Sequence, residues 1–388
     1  MLNGARISIV KTEILTLLLM AVAPTDTVSQ PAAEPHRLDP DLGKTIIDIH
    51  VHVAGLGYGD SGCFIGKELR NNFRFPFYFR AMGVSEQELR EQGDRILIDR
   101  ISQSVAASET VGKAVLLAMD GYVDDHGELD RNRTQLYIPN DYLAREIRRH
   151  DNLLFGASIH PNRTDAIERL RQVRADGAVL IKWIPSIMNI DPADPRHIPF
   201  YREMVRLGLP LLSHTGREKS FAGARDELSD PLRLTLPLEQ GVVVIAAHIA
   251  TTGKSEGQDN FERILPLFSR YPNLYTDISS LTQVNKLGYL ARAMRQEGLT
   301  GRMVYGTDWP LQFFPIVSPW FHLRYIGLRN AWRISGIRNQ WDRDVAIKYA
   351  YGLPAEVFTR AASVLGLNLS GPEAGTPDSA ALHPGYSR

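Results

Sequence analysis

The chain has 388 residues, 44% hydrophobic and 23% charged, with 44 basic side chains balanced by 44 acidic ones. That composition excludes a largely disordered chain, and the zero net charge leaves no field to recruit nucleic acid or an anionic membrane. The lone cysteine, Cys63, excludes an internal disulfide, and no run of eighteen uncharged apolar residues predicts a membrane-spanning helix.

The chain opens with Ile14–Ala23, an apolar run preceded by Arg6 and Lys11 and about as long as a signal-peptide core. Glu13 abuts this run and Pro24 follows its small residues, a poor context for cleavage. The expectation is therefore a docked N-terminal segment on a cytoplasmic protein, with export through a weak signal as the alternative. Residues 1–40 read as an extension and linker, 41–366 as one domain, and the Gly/Pro/Ser-rich 367–388 as a flexible tail.

Eight apolar, β-branched segments follow in order: Ile46–His52, Lys113–Met119, Leu153–Ile159, Ala178–Ile184, Leu209–His214, Val242–Ala247, Asn273–Ile278 and Arg302–Thr307. Nearly continuous apolar runs of this length predict strands covered on both faces. Helical patterns fill the gaps. Ile167, Leu170 and Val173 follow Thr164, a predicted N-cap, and Phe261, Ile264, Leu265 and Phe268 form a second stripe that Pro266 should bend or shorten. Strand–helix alternation repeated eight times predicts a (β/α)8 TIM barrel. An open doubly wound sheet is the competitor, but no Gly-x-Gly-x-x-Gly follows the first strand.

The stretch from Val53 to about Gln92 is too long for an ordinary connection and reads as an insertion after the first strand. It holds four early glycines and the aromatics Phe73, Phe75, Phe77, Tyr78 and Phe79. A wall over the barrel mouth and a pad on the barrel side are equally compatible with that composition.

Polar residues concentrate at predicted strand ends: His50, His52, Lys182, His214, His248, Asp277 and Asp308. The carboxyl end of a barrel is where catalytic groups from different strands converge. His50 and His52 are two apart on one strand, so both imidazoles share a face. Imidazoles and a carboxylate suit a divalent metal, zinc first, with iron, nickel and manganese also served by such donors.

At superfamily level the chain resembles the amidohydrolases, in the amidohydrolase-2 branch. The resemblance rests on Asp48-Ile49-His50-Val51-His52, Leu212-Ser213-His214-Thr215-Gly216, Ala246-Ala247-His248 and Tyr305-Gly306-Thr307-Asp308-Trp309-Pro310. It implies His50, His52, His214 and Asp308 as metal ligands, and His248 as a second-metal ligand or a proton donor. Lys182 stands where two-metal members carry a carboxylated, bridging lysine; a free lysine binding an anionic substrate is the alternative. One ion is expected rather than two, because Trp183 and Pro185 beside the lysine read as a substrate wall. His160 and Arg217 are further candidates for substrate binding, and Asp277 for orienting a metal-bound imidazole.

The resemblance implies a metal-dependent hydrolase in which Asp308 serves as general base and then general acid on an amide, ester or lactone carbonyl. A metal-dependent decarboxylase of the aminocarboxymuconate-semialdehyde type uses the same ligands, and a non-catalytic metal-binding scaffold is the third alternative. The expected partner is a small-molecule substrate, with homo-oligomerisation left open.

Overall fold

A computed structural model describes residues 43–367 apart from 73, 74, 219 and 222. The expected N-terminal extension, and the tail beyond Leu367, lie outside the described residues, as do Phe73 and the side chains of Phe75 and Phe77. The eight apolar runs become β1 (Ile46–His52), β2 (Val111–Leu117), β3 (Leu153–Ala157), β4 (Ala178–Trp183), β5 (Leu211–Ser213), β6 (Val244–Ala246), β7 (Leu274–Asp277) and β8 (Met303–Val304). They form one eight-stranded parallel sheet in sequence order. The segment after β8 returns to β1: Asp308 N–H donates to His50 O (3.0 Å) and His52 N–H to Trp309 O (3.0 Å). With helices in the connections, this is a (β/α)8 barrel.

The ladders stop short of the predicted strand ends at β2 through β8. Burial continues past the last paired residue, so apolar character overruns the hydrogen bonding: Ile159, Ile184, Ala247 and Ile278 are buried but lie beyond the strands. The residues that matter for chemistry at β5, β6 and β8 therefore sit on loops just above the ladder.

β1 contains a device that simple alternation does not predict. Asp48 pairs with Ala114 and Val51 with Leu116, so three steps on β1 oppose two on β2. The extra residue flips the side-chain parity. Ile47 and Ile49 join the barrel's interior cluster with Val115, Leu180, Leu212 and Ile245. Beyond the bulge, His50 and His52 turn onto that same interior side, at its mouth.

Asp48, left on the outer face, ties the barrel closure together. It accepts from Thr307 Oγ1 (2.6 Å), Trp341 Nε1 (2.8 Å) and the backbone N–H groups of His50 and Thr307 (both 3.0 Å). Asp48→Ala leaves four buried donors without their acceptor. Each unmet donor costs about 1–3 kcal/mol before relaxation, so a loss of roughly 3–5 kcal/mol is expected. Thermal melting checks it; a midpoint within 1–2 °C (an order-of-magnitude margin) of wild type would show that the carboxylate is dispensable.

The insertion after β1 is both pad and wall. Asp94 anchors its glycine-rich start, accepting from Leu56 N (3.0 Å), Gly57 N (2.9 Å) and Ser61 Oγ (2.5 Å). Its helices, Lys67–Arg70, Phe75–Met82 and Glu86–Gln92, bury Leu69, Phe79, Met82 and Leu89. Elsewhere, two helix details differ from expectation. The helix Ala166–Ala175 is preceded by Asp165 rather than capped by Thr164, and the Asp165 carboxylate takes Arg169 Nε at 2.7 Å instead of a backbone donor. Pro266 does not shorten Asn260–Arg270, whose Asp259 cap and buried Phe261, Ile264 and Leu267 hold it through eleven residues.

Candidate metal centre

Six side chains converge at the barrel mouth. His50 Nε2 lies 3.2 Å from His52 Nε2 and 3.6 Å from Asp308 Oδ1, and His52 Nε2 lies 3.2 Å from Asp308 Oδ1. Donor atoms about 2.0–2.1 Å from one tetrahedral ion are about 3.3 Å from one another. The triangle of His50, His52 and Asp308 therefore has the dimensions of a shared cation site. His50, His248 and Asp308 also offer ligand atoms within 4.8 Å of one another.

Burial holds His50, His214 and His248 neutral. It pushes the His50 imidazole down to about 4, with the Lys182 charge adding to the effect, and it lowers His214 and His248 as well. Neutral rings present lone pairs, which is what a metal needs. Asp308 stays ionised: burial pushes its carboxyl up, but the surrounding imidazoles outweigh that and keep it well below the usual carboxylate range.

Asp277 sets the orientation. His50 Nδ1 sits 2.7 Å from Asp277 Oδ2, so the ring donates there and turns its Nε2 lone pair to the centre. The other oxygen accepts from His248 N (2.8 Å), Ser279 N (3.1 Å) and Ser279 Oγ (2.5 Å). One carboxylate thereby fixes the ends of β1, β6 and β7. The backbone around it is strained: His248, Ile249 and Ala250 have φ of 59°, 53° and 51°, Ser280 54° and Asp308 66°. Non-glycine residues avoid this region at a cost of order 1–3 kcal/mol each, and such strain collects at functional sites.

His214 tests whether the residues suit a cation. Its Nε2 is buried and has no hydrogen-bond partner, although Glu218 Oε2 lies 3.4 Å away. A buried imidazole nitrogen without a partner, on a ring whose centroid lies 5.3 Å from that of His248, is compatible with a ligand role. His50, His248 and Asp308, with His52 beside them, offer nitrogen and oxygen donors of the kind a divalent ion takes.

Lys182 is fully buried beneath this group, with Nζ 2.9 Å from His50 Nε2. Burial pushes its ammonium down to about 8 while Asp277, Asp308 and Glu218 pull it up. It is not among the residues lining the open cleft, so the expectation that it touches substrate does not match its position.

The cleft above the centre encloses about 1080 Å³, part of it open to solvent. His52, His214, His248 and Asp308 form its floor, and Ile65, Leu69, Tyr78, Phe79 and Met82 of the insertion form an apolar wall. Arg217 reaches its rim, paired with Asp226 at 3.2 Å and largely exposed.

Two other expectations are corrected. His160 does not face the mouth: its Nε2 meets Met188 O at 2.9 Å and its Nδ1 accepts from Asn162 N at 3.1 Å, so both ring nitrogens are used inside the protein. Trp183 is no substrate wall, being buried, stacked on Phe200 and hydrogen-bonded to Ile159 O at 2.8 Å. The strand fixes the reason, since residues adjacent to the inward Lys182 point outward into the helix layer. Glu218, Ser279, Ser280, Gln283 and Lys286 were not singled out from sequence. Only Ser279 and Ser280, directly past Asp277, carried a positional signal.

No curated protein matches the chain. Among solved structures it is similar to an uncharacterised TIM-barrel protein from Bordetella bronchiseptica, at 15% identity and a TM-score of 0.50, over 83% of this chain and 99% of that one. It is also similar to a candidate 2-pyrone-4,6-dicarboxylic acid hydrolase from Pseudomonas putida (14%, TM-score 0.49, 84% and 99% covered). A third is an amidohydrolase 2 from Bifidobacterium longum subsp. infantis (15%, TM-score 0.43, 80% and 99% covered). Likeness at that identity speaks to the fold alone. A family model described as amidohydrolase matches residues 47–331, from β1 past β8 and through every strand end that builds the centre, and on that match the chain belongs to the amidohydrolase-2 family.

Proposed function

We propose that this protein is a metal-dependent hydrolase acting on an amide, ester or lactone carbonyl of a small molecule. The observation that carries the proposal is the placement of the Asp308 carboxylate. Its Oδ1 faces the His50–His52 pair, while its Oδ2 lies 4.0 Å from His248 Nε2. One carboxylate is thus shared between the donor set and the reaction space.

His50, His52, His214 and Asp308 would hold one divalent ion, zinc by its donor set. Such an ion lowers the pKa of water towards about 7 and polarises a carbonyl. Asp308 Oδ2 then accepts the proton of the attacking water and returns it to the leaving group. His248 holds the far side, its Nδ1 near Ser279 Oγ (2.7 Å) and Ser280 Oγ (3.1 Å) and its Nε2 towards the cleft, where it steadies the developing oxyanion. The apolar wall excludes water from the bound substrate's body.

A single ion is our expectation, supported by Lys182: its Nζ lies 2.9 Å from His50 Nε2 and, unmodified, brings an ammonium charge with no oxygen with which to bridge two cations. Metal analysis of wild type and Lys182→Ala, each with added bicarbonate, is expected to give about one ion per chain in both, the stoichiometry of a four-ligand site. Two ions in wild type, falling on substitution, would replace this reading with a bridged pair. Product analysis separates the chemistries: a new carboxylic acid supports hydrolysis, and release of carbon dioxide from an acid substrate would overturn it in favour of decarboxylation.

A further inference from the structure

Asp308 stands at φ 66°, a left-handed conformation that its surroundings must hold in place. The segment around it, Tyr305 to Trp309, is gripped by one helix, Gln340–Ala350. Gln340, Asp344 and Lys348 recur every four residues, so they lie along one face of that helix. Each takes hold of the segment at a different point. Trp309 Nε1 donates to Gln340 Oε1 (3.1 Å), Tyr305 OH to Asp344 Oδ2 (3.1 Å), and Lys348 Nζ to Gly306 O (2.8 Å). Lys348 Nζ also donates to Asp344 Oδ2 (2.6 Å), and Thr282 Oγ1, beyond β7, donates to Asp344 Oδ1 (2.8 Å). The side chains of the ion pair are 0% and 1% exposed, and none of the three helix residues lines the cleft.

We infer that Gln340, Asp344 and Lys348 are positioning residues for Asp308. They fix the chain on both sides of it and so set where its carboxylate stands relative to His50 and His52. The inference rests on the proposed function, since it takes Asp308 as a metal ligand. Stability alone is a weak reason for the buried pair, because taking two charges out of water can cost more than their attraction returns, and folds often tolerate apolar replacements. Apolar side chains cannot, however, donate to the Gly306 carbonyl or accept from Tyr305 and Thr282. What they would lose is direction. Trp341 and Arg343 of the same helix make further ties, to Asp48 Oδ2 and Gln312 O (both 2.8 Å), which keep the helix docked when the pair is removed.

Titration of the chelator-stripped protein with cobalt(II) tests this, because the visible absorption of the bound ion reports how its ligands are arranged. Asp344→Leu/Lys348→Met is expected to stay folded by circular dichroism. It should bind cobalt about 10–100-fold more weakly in competition with a chelator, the scale of losing an outer partner, and its spectrum should change. Gln340→Met removes only the tie to Trp309, leaves no buried charge behind, and should move both readouts the same way by less. Wild-type affinity and spectrum in the folded double variant would make the pair structural only and overturn the inference. Should the double variant not fold, Gln340→Met decides: weakened binding upholds the inference, and wild-type binding overturns it. These readouts use no substrate, so they hold whether the chemistry is hydrolysis or decarboxylation. Wild type that takes up no cobalt would instead sink the metal-dependent reading itself, and the inference with it.

Discussion

The double variant His50→Ala/His52→Ala is expected to lose nearly all bound metal, falling to under about a tenth of an ion per chain after dialysis. The two Nε2 atoms lie 3.2 Å apart, so each substitution removes half of the same edge of the site. His214 and Asp308 remain, but two donors do not complete a four-ligand site. The size of the effect can be bracketed from Asp277, which holds only the orientation of His50. Loss of such an outer partner costs about 10–100-fold in metal affinity, so removal of both ligands must exceed it. Asp277→Asn is the graded control. Metal analysis with circular dichroism as a check on folding decides the matter, and full retention of metal in the double variant would place the ion elsewhere.

Asp308→Asn is expected to reduce turnover about 10²–10⁴-fold, the contribution of a positioned general base, on whichever ester, lactone or amide the wild type hydrolyses. The amide is nearly isosteric and still presents an oxygen, so the left-handed backbone at Asp308 and much of the metal should survive. What it cannot do is accept a proton at the position of Oδ2. The informative comparison is therefore rate against metal content in the same sample. Near-normal turnover with metal retained would reduce Asp308 to a ligand and move the proton transfer to His248.

These two outcomes rest on features that differ in how far the sequence reveals them. The eight strands and their order were legible because strand formation depends on short runs of β-branched and apolar residues, a local property. The centre was legible for the same reason: His50, His52, His214, His248 and Asp308 each end an apolar run, and in a parallel barrel every such end points to one mouth. Pro266 did not shorten its helix, because a helix buried along Phe261, Ile264 and Leu267 tolerates one missing donor.

By itself, then, the sequence determined the barrel and the gathering of His52, His214, His248 and Asp308 at its mouth. Only the tertiary structure decided what surrounds them. The bulge between Asp48 and Val51, which turns the two histidines inward, is a mismatch between neighbouring strands and has no signature in either alone. The placement of Lys182 against His50, 132 residues away, the outward burial of Trp183 and the internal partners of His160 depend on which side of the sheet faces the helices. Glu218, Gln283 and Lys286 lie on connections between strands, where no periodicity constrains direction. Such residues reach the cleft because distant parts of the chain close around them, and that closure is a property of the packed barrel rather than of any one segment.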